Sequence, residues 1–178
     1  TPEIVIPEVL TDLSNTRVLT LSFEPGDGLG QLDVRYDQPL RNQIAATLFQ
    51  ALGRQLYQFG EVHCDPHPGN FAARLDGSLV MYDFGCIKKV SPQVSRCYGE
   101  MTRAAMAGDA TVVESCLITL GARQTVHTPT LPASFYTPWL ELVQESFSDD
   151  TTDFASFPMA ERVITLSRAS LPHWRAFQ

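Results

Sequence analysis

The sequence predicts a mainly helical α+β fold, in which a strand, a long helix and a β-hairpin are followed by a block of helices. A continuous apolar stripe at helical spacing marks a long helix after Pro39. The dipeptide Asp76-Gly77 stands between two short runs of β-forming residues and indicates a hairpin turn. From Ser91 onwards, apolar residues again recur at helical spacing between short breaks.

The first predicted element is a strand over residues 17–23, because RVLTLSF is rich in β-forming residues and Pro25-Gly26 follows as a turn. The long helix comes next, and its stripe repeats every three or four positions. Its members are Leu40, Ile44, Leu48, Leu52, Leu56 and Phe59. Gly60 follows where a left-handed helix cap favours a residue without Cβ. We expect the stripe to face the core.

The hairpin is predicted over residues 71–74 and 78–84, on either side of its turn. Ser91-Pro92 has the form of a helix cap followed by proline in the first turn. The predicted elements after it are a helix to about Ala107, a break at Gly108-Asp109, a helix to about Leu120, a loop over 122–133, a helix over 132–147, an acidic loop over 148–157 and a helix over 159–169.

Composition excludes several classes of protein. The chain is 44% hydrophobic and 19% charged, which is an ordinary globular balance. A net charge of −7 leaves no basic stripe for a phosphate backbone, so no nucleic-acid partner is expected. The sequence has no run of 18 apolar residues and its cysteines form no CxxC pair. Reduced thiols and a cytoplasmic location are therefore expected, with membrane association of the full-length protein as an alternative.

Three oxygen-bearing side chains suggest a site for chemistry. Asp65 and Asn70 lie in one proline-braced loop, with four residues between them. Asp83 ends the second predicted hairpin strand, which returns beside that loop. Asn70 and Asp83 could share a divalent metal while Asp65 faces the open side. Carboxylate and amide oxygens suit Mg²⁺, which binds few protein ligands and completes its shell with water and phosphate.

Two other interpretations of the loop stay open at this point. His63, Cys64, His67 and Cys86 could ligate zinc, although alternating prolines and close spacing fit tetrahedral ligation poorly. Alternatively, the loop is a rigid turn whose polar residues are incidental, but that interpretation does not predict Asp83-Phe84-Gly85 one hairpin later.

The same residues resemble protein-kinase-like phosphotransferases, in which a catalytic Asp, four residues and Asn precede a DFG one hairpin later. Residues 63–70, HCDPHPGN, with the downstream Asp83-Phe84-Gly85, more closely resemble the AarF/UbiB family of atypical kinases, which is linked to ubiquinone biosynthesis. Segments 17–26 and 103–109 also resemble that family. The resemblance extends from about residue 7 to about residue 120.

The resemblance implies a role for each matching residue. Asp65 would be the catalytic aspartate, and His67 would donate to phosphate beside it. Asn70 and Asp83 would bind Mg²⁺, and His63 would brace the DFG from behind. The backbone of Ser22, Phe23 and Glu24 would form a hinge that binds adenine. ATP and Mg²⁺ are therefore the implied cofactors.

The resemblance also implies a domain organisation, with residues 1–26 as the end of an N-lobe with its hinge and residues 27–178 as a kinase-like C-lobe. The family's KxGQ motif, alanine-rich nucleotide loop, lysine and glutamate are not in this sequence. We therefore expect a C-lobe fragment that needs an N-lobe in cis and is inactive alone.

Two departures bear on the acceptor. Cys64 replaces the arginine that pairs with a phosphorylated activation loop, and about six residues, 86–91, separate the DFG from the next helix. A small-molecule or lipid acceptor, or ATP hydrolysis alone, fits such a short segment better than a protein substrate. The implied function is an ATPase or kinase that supports ubiquinone or isoprenoid-lipid metabolism, with a peripheral membrane or quinone-biosynthesis complex as partner. The rivals are an aminoglycoside-phosphotransferase-like small-molecule kinase and a nucleotide-binding pseudokinase scaffold.

Overall fold

The computed structural model describes residues 4–126, 130–147, 153 and 156–177. It divides into two units, Thr1–Ser91 and Pro92–Gln178. Each unit has its own cluster of buried apolar side chains. The mainly helical α+β class predicted from the sequence is confirmed. The predicted domain boundary between residues 26 and 27 stays a prediction.

The strands of the first unit form two small sheets. They are β1 (Ile4–Val5), β2 (Asp27–Gly28), β3 (Glu61–His63), β4 (Phe71–Ala73), β5 (Leu79–Met81) and β6 (Ile87–Lys89). One sheet has the order β1-β5-β4-β2, in which β1 is parallel to β5 and the other pairs are antiparallel. The second sheet pairs β3 with β6 antiparallel. The predicted hairpin is thus β4–β5, and β6 was not predicted.

The strand predicted over residues 17–23 is wrong. The segment makes only single bridges, Val9 with Leu21 and Asn15 with Val18. The Ser14 hydroxyl accepts the Thr20 N–H at 2.9 Å, and the Asn15 side-chain oxygen accepts the Val18 N–H at 3.1 Å. These side chains satisfy backbone donors that a ladder would otherwise use, so the β-forming residues do not build a strand.

The short helix α1 (Leu32–Arg35) precedes the long predicted helix, α2 (Gln38–Arg54). The Asp37 side chain caps α2 by accepting the Leu40 N–H at 2.9 Å. After Arg54 the helix continues as one π-helical turn, Gln55–Phe59, and Gly60 ends it with φ 65° as expected. The prediction that the whole stripe is core is wrong at Phe59, which is 68% exposed, whereas Ile44 is 2% exposed.

The hairpin closes with Phe71 opposite Met81 and Ala73 opposite Leu79. Gly77 has φ 85° in the turn, and the Asp76 carboxylate accepts the N–H and hydroxyl of Ser78. The second strand ends at Met81 rather than at Phe84. Asp83, Phe84 and Gly85 therefore lie in the connection from β5 to β6.

The second unit is helical, as predicted. Its helices are α3 (Pro92–Ala107), α4 (Ala110–Thr119), α5 (Ala133–Ser146) and α6 (Met159–Ser170), followed by an unpredicted 3₁₀ helix, Leu171–Phe177. Asp109 caps α4 by accepting the N–H groups of Thr111 and Val112. The predicted acidic loop lies mostly outside the described residues. None of the described helices is long and apolar enough to cross a membrane.

Candidate functional site

The loop between β3 and β4 is folded by hydrogen bonds among the residues predicted to carry chemistry. The Asp65 carbonyl accepts the His67 N–H at 2.8 Å and the Asn70 side-chain amide at 3.0 Å. The His67 carbonyl accepts the Asn70 N–H at 2.9 Å, which closes a single 3₁₀ turn, Pro68–Asn70. Asp65 and Asn70 are therefore held at opposite ends of one compact loop.

The β4–β5 hairpin brings Asp83 to the same end of the sheet as Asn70. The Tyr82 N–H donates to the Asn70 carbonyl at 3.0 Å, which continues the ladder by one residue. Asp83 is the next residue and is exposed, and Asn70 is half-buried. The predicted juxtaposition of the two side chains thus has a backbone basis, although their roles as magnesium ligands stay predictions.

The donor atoms of these two side chains suit a hard cation. The Asn70 amide nitrogen donates to the Asp65 carbonyl, so the amide oxygen is the atom left to face an incoming ligand. One carboxylate oxygen of Asp83 accepts the Gly85 N–H at 2.7 Å, which fixes the group and leaves its second oxygen for coordination. An amide oxygen and a carboxylate oxygen form the ligand type that Mg²⁺ prefers.

His63 links the catalytic-loop candidate to the segment after the hairpin. Its ring is 3% exposed. Its Nδ1 accepts the Asp65 N–H at 3.2 Å, and its Nε2 lies 2.5 Å from the Asp83 carbonyl oxygen. Because Nδ1 accepts, Nε2 must carry the proton and donate to that carbonyl. One neutral imidazole therefore fixes the backbone at Asp65 and at Asp83 together.

The surroundings of His63 hold the ring in place. Its centroid lies 6.1 Å from the Phe71 ring and 6.0 Å from the Phe84 ring. Its backbone N–H donates to the Gln55 side-chain oxygen at 2.8 Å, so the π-helical turn after α2 also supports β3. The bracing of the DFG by His63, implied by the family resemblance, has matching geometry.

The predicted hinge is bonded to the same hairpin. Tyr82, the residue before Asp83, donates its hydroxyl to the Glu24 carbonyl at 2.8 Å. Arg74 donates to the Pro25 carbonyl at 2.8 Å and pairs with the Glu24 carboxylate at 2.6 Å. Ser22 and Glu24 therefore have partners within the unit, whereas the Phe23 side chain is 88% exposed. Adenine binding by this segment stays a prediction.

Glu24 is charged in this setting. The hydrogen bond from the Arg74 guanidinium holds the pKa of the Glu24 carboxyl below its ordinary value, and the Ser22 hydroxyl adds to the effect. The negative charge keeps the Arg74 contact in place near neutral pH, so the segment before β2 stays tied to the hairpin.

His67 is exposed and its ring has a defined orientation. Its Nδ1 accepts the Gly69 N–H at 3.0 Å, so Nε2 is the donor of the neutral ring. The hydrogen bond to phosphate that is predicted for His67 would be donated by this Nε2–H group. Support of the loop and contact with phosphate are therefore compatible in one side chain.

The zinc interpretation does not fit the geometry. Within residues 4–126, 130–147, 153 and 156–177, no three His, Cys, Asp or Glu side chains come together as a metal site. Both ring nitrogens of His63 are used by backbone groups of Asp65 and Asp83. The candidate site is an exposed surface, and a cavity of about 550 Å³ in the same unit is lined instead by residues that include Met81, Phe84 and Ile87.

Sequence reasoning missed three residues that build the site. Gln55 holds β3, Tyr82 holds the predicted hinge, and Arg74 holds both Glu24 and Pro25. Only Tyr82 could have been noticed in the sequence. A tyrosine directly before Asp83 is expected to be partly buried, and its hydroxyl then needs a hydrogen-bond partner. No local pattern marked Gln55 or Arg74, since their partners are 8 to 50 residues away in sequence.

Comparison with known proteins gives a family match over most of the chain. The model of the ABC1 atypical kinase-like domain matches residues 1–117. A chloroplastic protein of Arabidopsis thaliana, Activity of BC1 complex kinase 7, is 33% identical over 120 residues, which are 67% of this chain and 17% of that protein. The mitochondrial atypical kinase COQ8B of Danio rerio is 32% identical over 113 residues, 63% of this chain and 18% of that protein.

A solved structure shares the fold. Rv3197 of Mycobacterium tuberculosis, in complex with erythromycin, superposes with a TM-score of 0.66 at 20% identity, covering 84% of this chain and 37% of that chain. The matched region spans less than a fifth of the length of Activity of BC1 complex kinase 7 and of COQ8B. The likeness to Rv3197 supports the fold.

Proposed function

The chain belongs to the ABC1 atypical kinase-like family, and on that premise we propose that it forms the Mg-ATP-binding and catalytic part of an atypical kinase or ATPase. Residues 1–117, which match the family, contain every residue of the candidate site. Family membership favours this proposal over an aminoglycoside-phosphotransferase-like enzyme.

The single observation that carries the proposal is the pair of contacts made by His63. One buried ring holds the N–H of Asp65 and the carbonyl of Asp83. Phosphoryl transfer depends on positioning and on fixed electrostatics more than on covalent chemistry by the protein. A rigid link between the candidate base and the candidate metal ligand supplies such positioning.

Asn70 and Asp83 are the residues that would hold Mg²⁺, by the amide oxygen and the second carboxylate oxygen. When bound, the ion would neutralise charge on the phosphates of ATP. Asp65 is exposed and its own backbone is fixed by three hydrogen bonds, so its carboxylate is free to orient or deprotonate an acceptor hydroxyl or a water molecule. His67 Nε2 would donate to a phosphate oxygen, and the backbone at Phe23 would face adenine.

We propose a small-molecule or lipid acceptor, or water, rather than a protein. Two residues after Gly85, the chain enters β6 against β3, and α3 begins at Pro92. That connection is a paired strand and not a long docking segment. We further propose a role in ubiquinone or isoprenoid-lipid metabolism, with an N-lobe in cis and a quinone-biosynthesis complex as partners. A cytoplasmic location, with membrane association of the full-length protein as the alternative, is part of the same proposal, whereas the relatives above are named as chloroplastic and mitochondrial.

The proposal is tested in the protein that carries these 178 residues. Asp83→Asn removes one carboxylate charge from the predicted metal pair, so Mg²⁺ should no longer strengthen ADP binding. We expect at least about a tenfold loss of affinity, or ~1.4 kcal/mol, in calorimetric titrations with Mg²⁺ and little change with EDTA. The matched control is Asp33→Asn, an exposed aspartate of α1. Unchanged Mg-dependent affinity in Asp83→Asn contradicts the metal role.

Asp65→Asn tests the catalytic role when the same titrations are combined with a measurement of ATP turnover. It should retain Mg-ADP affinity while ATP turnover falls by about 10²- to 10⁴-fold, the range for loss of a general base. If the wild-type protein binds Mg-ADP but hydrolyses no ATP, the scaffold interpretation stands. If Asp65→Asn hydrolyses ATP as fast as the wild-type protein does, the catalytic role of Asp65 is wrong.

A further inference from the structure

Two exposed cysteines face each other across the β3–β6 ladder, next to the candidate site. The register pairs Val62 with Lys88 and His63 with Ile87, so Cys64 is opposite Cys86 one step further on. The Cys64 N–H donates to the Cys86 carbonyl at 2.8 Å, which confirms that the register continues. Cys64 directly precedes Asp65, and Cys86 directly follows Gly85.

The ladder places the two residues at a separation suited to a disulfide. Residues that share a backbone hydrogen bond across an antiparallel ladder have Cα atoms about 5.5 Å apart, and disulfides form most often at about 5.5–6 Å. Directly opposite Cβ atoms lie about 4.5–5.5 Å apart, whereas a disulfide needs about 3.5–4.5 Å. This pair is hydrogen-bonded, so its Cβ atoms lie at the wide end of that range, and closing the bond requires the strands to approach by about 1–2 Å.

Both thiols are reachable from solvent and leave the His63 contacts intact. Cys64 and Cys86 are free and exposed. Successive side chains of a strand alternate between faces, so the cysteines lie on the face opposite the buried His63 ring. The Cys64 sulfur makes only a weak contact with the Val62 carbonyl, at 3.5 Å, which a rotation about the Cα–Cβ bond releases.

We propose that Cys64 and Cys86 form a reversible cross-strand disulfide that lowers turnover at the neighbouring site. The oxidant is hydrogen peroxide. The Cys64 thiolate attacks the peroxide oxygen, the O–O bond breaks, and a sulfenic acid and hydroxide are produced. The Cys86 thiolate then attacks the sulfenic sulfur, the S–S bond forms, and a second hydroxide leaves and takes a proton to become water. Two thiols are oxidised and one molecule of hydrogen peroxide is reduced.

The effect on turnover follows from the position of the bond and rests on the proposed function. The disulfide would draw the residue before Asp65 towards the residue after Gly85. Displacements of about 1 Å at reacting groups can reduce a rate by about 100-fold. Reduction by a dithiol returns the strands to the present spacing and restores turnover.

The chain provides a buried pair of cysteines as an internal comparison. Cys97 and Cys116 are 6% and 3% exposed, and the Cys97 sulfur lies 3.4 Å from the Cys116 carbonyl oxygen. Burial raises the pKa of the Cys116 thiol to about 11, so this group stays protonated near neutral pH. Proximity is present in both pairs, but only Cys64 and Cys86 are accessible.

Peptide mapping tests the bond itself. Cleavage after Arg and Lys places the four cysteines in separate peptides, 55–74, 75–88, 97–103 and 104–123. After treatment of the protein with hydrogen peroxide and blocking of the remaining thiols, we expect a linked species of 55–74 with 75–88. Dithiothreitol should release it, and Cys64→Ser and Cys86→Ser should each abolish it. Peptides 97–103 and 104–123 should stay unlinked.

Turnover tests the consequence. Peroxide should lower the ATP turnover of the wild-type protein by at least about tenfold, and dithiothreitol should restore it. Cys86→Ser and Cys64→Ser should keep their turnover under the same treatment, while Cys97→Ser should respond as the wild-type protein does. The serine variants also control for oxidation of methionines.

Three results would overturn the inference. They are the absence of the 55–74/75–88 species, its formation only between two chains, and its formation with the same turnover before and after oxidation. Failure of the proposed function gives a different result, because reduced wild-type protein would then show no turnover although peptide mapping still reports the bond.

Discussion

At the residue scale, His63 joins the two segments of the candidate site. Its two ring nitrogens serve two backbone groups, Asp65 N–H and Asp83 C=O, that are 18 positions apart in the sequence. The sequence predicted a bracing histidine here only through the family resemblance. The tautomer and the second contact, to Asp65, are visible only in the tertiary structure.

His63→Ala should therefore damage the site more than the fold. Removing the ring leaves the Asp65 N–H and the Asp83 carbonyl without their partner, which costs about 1–3 kcal/mol in unfolding free energy. The same change frees both segments of the candidate site, so on the proposed function kcat and the Mg-dependent gain in ADP affinity should fall together, while ADP affinity in EDTA stays the same. Urea unfolding, steady-state kinetics and calorimetry measure the three quantities.

His173→Ala is the matched control for that variant. His173 lies in the second unit, where its ring packs 5.1 Å from the Phe135 ring. It should lower stability without changing the dependence of ADP affinity on Mg²⁺. A His63→Ala protein that loses stability alone would show that the ring is structural only.

At the element scale, patterns that involve near neighbours were predicted well. The long helix, which is α2 with the π-helical turn after it, the cap at Gly60 and the hairpin turn at Asp76-Gly77 all depend on residues a few positions apart. The strand over residues 17–23 failed because Ser14 and Asn15 occupy its backbone donors. Strand β6 was missed because its three residues, Ile87–Lys89, are all exposed and show no alternation of apolar and polar positions that would predict a strand.

The hairpin turn gives a prediction at this scale. Gly77 has φ 85°, and a Cβ at this position would also meet the Gln43 side chain. Gly77→Ala should lower the free energy of unfolding by about 1–2 kcal/mol from the left-handed backbone alone, with an added cost from Gln43. Thermal and urea unfolding measure the change.

A double-mutant cycle with Gln43→Ala separates the two contributions to the destabilisation by Gly77→Ala, one from the backbone and one from the Gln43 side chain. Gln43→Ala should remove the side-chain part and leave the backbone part, because it takes away only the contact. Gly28→Ala is the control, since Gly28 has φ −60° and no atom lies within 4 Å of the added Cβ. It should be neutral or slightly stabilising. A Gly77→Ala protein as stable as Gly28→Ala would rule out the strained turn.

At the scale of the whole molecule, each of the two units depends on its own core. The second unit buries a charged pair, Arg123 with Glu114, whose atoms lie 3.1 Å apart. Arg123 is 1% exposed. The Glu114 carboxylate also accepts the Leu131 N–H at 3.2 Å, so it joins α4 to the segment before α5.

Glu114→Gln should destabilise the second unit by about 3 kcal/mol. The amide keeps the size of the side chain but removes the charge that faces a buried guanidinium, and such half-broken pairs cost about 3–5 kcal/mol. Hydrogen exchange should show lost protection in α4 and α5. Glu145→Gln, which breaks the solvent-exposed pair with Arg162, should have a far smaller effect. If Glu114→Gln and Glu145→Gln lowered the free energy of unfolding equally, the larger cost expected for the buried Arg123 pair would be contradicted.

The sequence by itself determined the class of fold, the long helix and the hairpin, and it predicted Asp65, Asn70 and Asp83 as the residues of the candidate site. Each of these follows from spacing along the chain, because helix periodicity, turn chemistry and short motifs are local. Only the tertiary structure decided that one ring joins Asp65 to Asp83, that Tyr82 and Arg74 hold Glu24, and that Cys64 faces Cys86. Such contacts depend on strand register and on loop paths, which are fixed by packing across distant parts of the chain.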